Sequence, residues 1–449
     1  MKHIILIMSL ISASVIQGFA QQAKPDSQTY NFSVADCVSY AYQHQDSVVN
    51  AGLDVTSAGY HVKEIIGQGY PQISGAASFQ DYLKIPTTLI PGEFFGAPGT
   101  FIPLKFGVTY QSNLSLTANQ IIFDPSYLVG LAGRRTYKEL YDRSYTRSKI
   151  AVNVNVTKAY YQVLVSIEEL RLLQDDIDQL KKQVNETTAQ NKQGVAELID
   201  VQRITVQYNS LVTKKENTIR LLSLNYELLK FQMGMPIESN LILKDKLGDI
   251  QLNLTGSDAV TDTTAYRNRI EYGLLETQEK LNEYDVKLKK GQFLPKLTAN
   301  ASYAASYQNN SFGQLYKTNF PSSYVGLTLN VPVFTGFQHK YQLKQSQITV
   351  EKAQNNLVAT KNALNLELSK ARITYINGLQ TLNDQRKNMA LAAEVLRVAK
   401  IKYEQGVGSS LEVIQAQTAL QDADNTYIQG LYDALVSKVD LDKAYGRIK

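Results

Sequence analysis

The sequence predicts a mainly α-helical chain that also contributes strands to a transmembrane β-barrel. Three observations predict this. The order of structural signals runs through twice, four segments alternate strictly between apolar and polar residues, and each half carries a very long stretch of helical periodicity.

The doubling is legible from punctuation. Ala41-Tyr42 recurs as Ala265-Tyr266 and Pro71 recurs as Pro295, both at one offset. Gly194 recurs as Gly406 and Gly234 as Gly446, both at a second, shorter offset. The offset changes because the first half holds extra residues from Ile85-Pro86 to Pro103, rich in Pro, Gly and Phe and read as a long loop. Each half then reads helix, strand pair, long helix, turn, helix. The first repeat is placed at residues 21–235, with a β-hairpin at about 71–120 and a helical hairpin at about 125–231. A connector with short strands at Leu241-Ile242-Leu243 and Ile250 to Leu254 occupies 236–262. The second repeat fills 263–449, with a β-hairpin at about 296–333 and a helical hairpin at about 336–445.

Residues 1–20 read as a secretory signal. Lys2 and His3 give a basic start, Ile4 to Ile11 is an apolar run, and Gly18-Phe19-Ala20 is a small-x-small cleavage site. No cysteine follows the cut, so a lipidated N-terminus is not indicated. Beyond it no run is long enough for a transmembrane helix. Any membrane crossing must therefore use strands. The single cysteine, Cys37, allows no internal disulfide and reads as a small buried hydrophobe.

The strand candidates are Gln72 to Gln80, Phe106 to Asn119, Leu297 to Tyr307 and Tyr324 to Val333. A period of two puts Val108, Tyr110, Leu114 and Leu116 on one face and Thr109, Gln111, Asn113 and Ser115 on the other. The polar faces are Ser, Thr, Asn and Gln, nearly without charge. A transmembrane strand needs roughly 9–11 residues with apolar side chains outward, and these segments fit. A soluble sandwich with one wet face also alternates; export and the uncharged face favour the membrane. Four strands cannot close a barrel, since bacterial barrels begin at about 8. Several chains must then share one; three would supply twelve strands and two would supply eight.

The helices begin at recognisable signals. Asp124-Pro125 is an N-cap followed by proline at the first helical position. A helix from there to Asn191 would run on the order of 100 Å at about 1.5 Å per residue. Phe334-Thr335-Gly336 opens its equivalent, which runs to about Tyr403. Both turn back at a glycine, Gly194 or Gly406, the residue that tolerates a left-handed helix end. Apolar residues recur at threes and fours, as in Val163, Ile167 and Leu170, and at sevens from Val34 through Ala41, Val48 and Val55 to Val62. That is coiled-coil spacing.

Other function classes find little. The chain carries 46 Lys+Arg against 41 Asp+Glu, a net charge of +5, without the dense basic patch of a nucleic-acid interface. The histidines His3, His44, His61 and His339 are scattered without metal-ligand spacing. Gly406-Val407-Gly408 lacks the third glycine and the preceding strand of a nucleotide fingerprint. No catalytic residue, metal site or cofactor is expected. A periplasmic adaptor with a coiled-coil hairpin is the alternative reading; the doubled order and the four strands argue against it.

Around the second turn the chain reads Tyr403-Glu404-Gln405-Gly406-Val407-Gly408-Ser409-Ser410-Leu411-Glu412-Val413-Ile414-Gln415-Ala416-Gln417. This resembles the Tyr-x-x-Gly turn and the following helix start of the TolC-like outer membrane factors. The first half's version runs from Asn191 through Gly194 to Gln202. Leu294-Pro295-Lys296-Leu297 and Val331-Pro332-Val333-Phe334-Thr335-Gly336 match the family's habits at strand borders. The resemblance implies a homotrimer with a twelve-stranded barrel in the outer membrane, contacting its lipid, and a helical tunnel across the periplasm. It implies a periplasmic adaptor docking on the hairpin tips and an inner-membrane transporter of RND or ABC type. It places Asp200, Glu412 and Gln415 as pore-constriction candidates, and Gly194, Tyr403, Gly406 and Gly408 as hairpin-tip or docking candidates. Glu412 reads equally as a solvated helix-start acid favoured by the helix dipole. The sequence departs from the family pattern at Gly408, where an arginine often bonds the neighbouring aspartate, and at the uncharged Gln415.

Overall fold

The computed structural model describes residues 29–96, 98–247, 250, 252 and 264–448. The signal at 1–20 and most of the strand expected from Ile250 to Leu254 lie outside the described residues. In chain order the elements are β1 (Thr29–Phe32), α1 (Val34–His44), α2 (Asp46–Gly67), β2 (Gln72–Asp81), β3 (Thr87–Pro91), β4 (Phe101–Lys105), β5 (Tyr110–Phe123), α3 (Pro125–Lys192), α4 (Leu198–Met233), β6 (Asn240–Leu243), α5 (Ile270–Gly291), β7 (Lys296–Asn309), β8 (Asn319–Asn330), α6 (Gln338–Glu404) and α7 (Ser410–Ala444). They divide into two compact units. One comprises Met1–Val49, Ser148–Asp262 and Glu367–Lys449; the other comprises Asn50–Arg147 and Thr263–Leu366.

The second unit is built on an antiparallel four-stranded sheet of order β2-β5-β7-β8. Its register lines apolar residues across all four strands: Ile73 pairs with Ala118, Ala118 with Ala301, and Ala301 with Val325. Ile73, Phe79, Leu116, Val325, Leu327 and Leu329 of that face are exposed. The opposite face is laced by polar side chains. Ser74 Oγ lies 2.8 Å from Thr117 Oγ1, Ser306 Oγ donates to Asn113 Oδ1 at 3.1 Å, and Asn300 Nδ2 donates to Thr328 Oγ1 at 2.7 Å. The sheet does not close, and β2 and β8 each pair on one side.

Several boundaries differ from the sequence reading for local reasons. β5 starts at Tyr110 rather than Phe106, because Gly107 takes a φ of 134° that a strand does not. β8 spans Asn319–Asn330 and leaves out Val331 to Val333, where Pro332 has no N–H for a ladder. α6 starts at Gln338 rather than Gly336, because Gly336 and Phe337 are both left-handed. The insertion expected as a loop holds the two-stranded ribbon β3–β4 around a 3-10 turn at Gly92–Phe95. Pro91 and Pro103 obscured it, but a two-stranded ribbon has free edges that tolerate proline.

α3 begins where Asp124-Pro125 predicts. Asp124 accepts from Ser126 N at 2.8 Å and pairs with Lys296 at 3.0 Å. The Lys296 ammonium and these backbone donors outweigh burial and hold its carboxyl below the usual range. The heptad spacing from Val34 to Val62 is split between α1 and α2, because Gln45 is extended at φ −74°, ψ 122°.

In the first unit, β1 pairs in parallel with β6. The sequence reading anticipated β6 but not β1. Ser33 and Asp36 form a capping box that starts α1. Asp245 of the connector accepts from Val34 N at 2.9 Å and from the buried Tyr160 hydroxyl at 2.9 Å, tying β1, α1 and α3 together. Cys37 is fully buried and burial pushes its thiol up to about 12, so it is inert at neutral pH.

Gly234 ends α4 at φ 68°, and a Cβ there would lie 2.5 Å from His44 O and 2.8 Å from Gln45 Cα. Gly406 is also left-handed but meets open space. Gly234→Ala is therefore expected to destabilise by about 2–4 kcal/mol, and Gly406→Ala by only about 1 kcal/mol. Denaturant unfolding of the two variants measures the difference; equal losses would refute the close-approach argument.

Candidate functional site: the two hairpin tips

The tips form because two long helices end in the same backbone motif. At the first, Gly194 is left-handed at φ 78°, Val195 N donates to Gln190 O at 2.9 Å and Gly194 N to Asn191 O at 2.9 Å. At the second, Gly406 has φ 72°, Val407 N donates to Lys402 O at 3.0 Å and Gly406 N to Tyr403 O at 3.1 Å. Both are Schellman ends, which satisfy carbonyls that a helix terminus leaves open. Ser409 then caps α7 by accepting from Glu412 N at 3.2 Å. Gly408 is required for another reason. A Cβ there would lie 2.9 Å from Lys402 Cβ and 3.1 Å from Tyr403 N, so no larger side chain fits without moving the turn.

The apolar packing below the tips is divided. Leu173, Ile177 and Leu180 of α3 pack with Ile204 and Leu211 of α4, and Ile414 of α7 rests against them. Leu396 and Ala399 of α6 pack with Val413 and Ala416 of α7. Farther from the turns the two hairpins share one cluster, in which Val165 of α3 joins Leu382 of α6 and Ile428, Leu431 and Leu435 of α7.

Between the divided parts the links are mainly polar. Ser410 of α7, itself buried, donates its hydroxyl to Asp200 Oδ1 of α4 in a short hydrogen bond. Gln207 Nε2 reaches Thr418 Oγ1 at 3.5 Å, and Lys214 Nζ donates to Asn425 Oδ1 at 2.6 Å. These rungs recur every seven residues along α4, the coiled-coil period. Tyr403 of α6 donates its hydroxyl to Gln190 Oε1 of α3 at 3.4 Å, and burial raises its pKa, with the Asp200 charge adding.

The structure thus brings Asp200 and Ser410 together, and Tyr403 with Gln190, while Glu412 stands apart. Asp200 is 18% exposed, with Arg203 at 3.9 Å, and is turned into the contact between hairpins. Glu412 and Gln415 are exposed and line a groove of about 520 Å³ with Glu394 and Lys402 between α6 and α7. Sequence reasoning missed Ser410, Gln190, Gln207 and Lys214; the only trace was the seven-residue recurrence of polar side chains in α4, whose partners lie some two hundred residues away. It also passed over Val195, Leu198, Val407 and Leu411, which the tips leave exposed. Among the described residues no metal-binding cluster occurs, and no helix is long and apolar enough to cross a membrane.

The sequence model of the outer membrane efflux protein family matches residues 275–447. Outer membrane protein TolC of Escherichia coli (strain K12) is 22% identical over 357 residues, which cover 75% of this chain and 70% of that protein. The chain resembles the TolC-like outer membrane factors. The toluene efflux pump outer membrane protein TtgC of Pseudomonas putida is 23% identical, covering 77% of this chain and 72% of its own length. Crystal structures of CusC match with a TM-score of 0.76 at 14% identity, over 95% of both chains. The likeness supports an outer-membrane efflux channel.

Removing the Ser410 hydroxyl leaves Asp200 facing Arg203 at 3.9 Å as its remaining ion-pair partner among the described residues. Ser410→Ala is expected to cost about 1.5–3 kcal/mol, as for a hydrogen bond to a charged acceptor. A double-mutant cycle with Asp200→Asn in denaturant unfolding checks it; additive losses would show that the pair is not coupled.

Proposed function

We propose that this chain is the outer-membrane channel of a tripartite efflux or type I secretion system. In this reading three copies share one twelve-stranded barrel, continued by a helical tunnel that passes cargo from a periplasmic adaptor and an inner-membrane transporter of RND or ABC type. The observation that carries it is the open sheet, with an exposed apolar face, a hydrogen-bonded polar face and two edge strands paired on one side only. In hydrocarbon each unpaired backbone group costs several kcal/mol, so such a sheet is stable in lipid only when neighbours complete it. The two halves are read as copies of one repeat, at 21–235 and 263–449, joined by the connector at 236–262 after removal of a signal at 1–20. The chain catalyses nothing and holds no cofactor; its chemistry is that of a gated conduit.

The tips support the partner assignment. Their exposed Val195, Leu198, Val407 and Leu411 offer apolar contact to an adaptor, around the turns set by Gly194, Gly406 and Gly408. Glu412, repeated by three-fold symmetry, would form an acidic ring favouring cations, with Gln415 beside it; Asp200, engaged by Ser410 between the hairpins, would lie off that ring.

The native mass of the detergent-extracted particle tests the assembly. Three chains are expected; six would favour an adaptor ring, and a stable single chain would overturn the shared barrel. In planar bilayers Glu412→Gln is expected to reduce cation preference severalfold while leaving the particle intact. Unchanged selectivity would remove Glu412 from the constriction. Val407→Asp is expected to abolish support of efflux in cells with little change in stability, since the side chain is exposed.

A further inference from the structure

A second polar cluster lies where the shared apolar core gives way to the divided tips. Asp176 of α3 is 7% exposed, and Asp424 of α7 is half-buried. Both residues line one small pocket of about 10 Å³, room for about one water. The same space is lined by Ile428, a member of the shared cluster, and by Leu173 and Leu211, members of the first hairpin's own cluster. The pair therefore sits at the boundary between the part of the hairpins that is held by apolar packing and the part held mainly by polar rungs.

The surroundings do not neutralise both acids. From α3 come Glu169 and the neighbouring Asp175, with Arg171 engaged by Glu168 and Asp175. From α4 comes Lys214, already donating to Asn425. From α6 comes Lys400, whose pKa burial lowers and which Glu186 and Glu404 also attract. From α7 come Gln417 and Gln421. Gln417 Nε2 donates to Asp176 Oδ1 at 3.5 Å, but its Oε1 is buried without a hydrogen-bond partner. A carboxylate has no proton to offer that oxygen, whereas a carboxylic acid has one.

We propose that Asp176 and Asp424 form a proton-sensitive brace between the two hairpins, which holds the tips together in acid and loosens them at neutral pH. Burial pushes Asp176 up to about 6, with the Asp175 charge adding, and burial pushes Asp424 up to about 6, with the Asp176 charge adding. Both stand above the ordinary 3.8, so the closed pair retains protons that separated hairpins release. The stabilisation is fully present below 3.8 and is lost as pH rises through about 6. Protonation removes the repulsion between the two acids and gives the Gln417 amide oxygen a donor. The brace acts within one chain, so it does not depend on the assembly proposed above.

Hydrogen exchange of the full-length detergent-solubilised protein tests it, at about pH 5 and about pH 7.5 and corrected for intrinsic exchange rates. Protection in peptides spanning 198–211 and 410–424 is expected to be on the order of tenfold greater at the lower pH. Asp176→Asn with Asp424→Asn is expected to make protection the same at both. If that double variant does not fold, Asp424→Asn alone, at the less buried position, is expected to remove a large part of the pH response. A wild-type protein without pH response in these peptides, or a response that survives the substitutions, overturns the proposal.

Discussion

Backbone polar groups that leave water must find partners, and this constraint governs the strand-bearing unit. Within the sheet β5 and β7 are paired on both sides, while β2 and β8 are not. The face that alternation turned apolar is exposed, with Val325 and Leu327 among its most open side chains. Neither feature would survive alone in water, where a long exposed edge is a template for pairing. Both make sense when lipid covers the face and another strand covers each edge. The polar face needs neither, because Ser74, Thr117, Asn113, Ser306, Asn300 and Thr328 hydrogen-bond across the ladder.

The helical unit resolves a different tension. In the proposed conduit the end must hold shut and still come apart, and apolar packing is a poor material for such a joint. Burying one leucine contributes about 1.5–3 kcal/mol, whereas a polar contact exchanged with water contributes about 0.5–1.5 kcal/mol. The arrangement follows that difference. Leu173, Leu180 and Leu211 hold the first hairpin together, and Leu396 and Val413 the second. Asp200–Ser410, Gln207–Thr418 and Lys214–Asn425 link one hairpin to the other. Around Leu382 and Leu431 both hairpins share a core. The buried acids at Asp176 and Asp424 lie at that transition, where a change of charge has most leverage on the polar links.

Much of the fold was legible because local signals recur without ambiguity. Asp124-Pro125 starts a helix, Gly194 and Gly406 end two, and alternation marks four strands, since each depends on near neighbours in sequence. The misreadings share a cause: a local exception that pattern alone does not reveal. Gly107 and the left-handed pair Gly336-Phe337 shift boundaries by a few residues, and Gln45 breaks a heptad run that looks continuous. β1 was missed because four residues pair in parallel with a segment more than two hundred positions away.

The sequence by itself determined the element types, the turns and the faces of the strands, because period, capping and glycine conformation are properties of adjacent residues. Tertiary structure alone decided what meets at the tips. Asp200 could be recognised as an acid at a helix start, but its engagement by Ser410 depends on two hairpins set side by side. Gly408 looked like a missing arginine; its close approach to Lys402 explains why the turn keeps no side chain there. In the sequence Asp176 is one of three acids close together, with Asp175 and Asp178. Only tertiary packing buries it, with Gln417 of α7 against its carboxylate, and burial is what lifts its pKa to about 6.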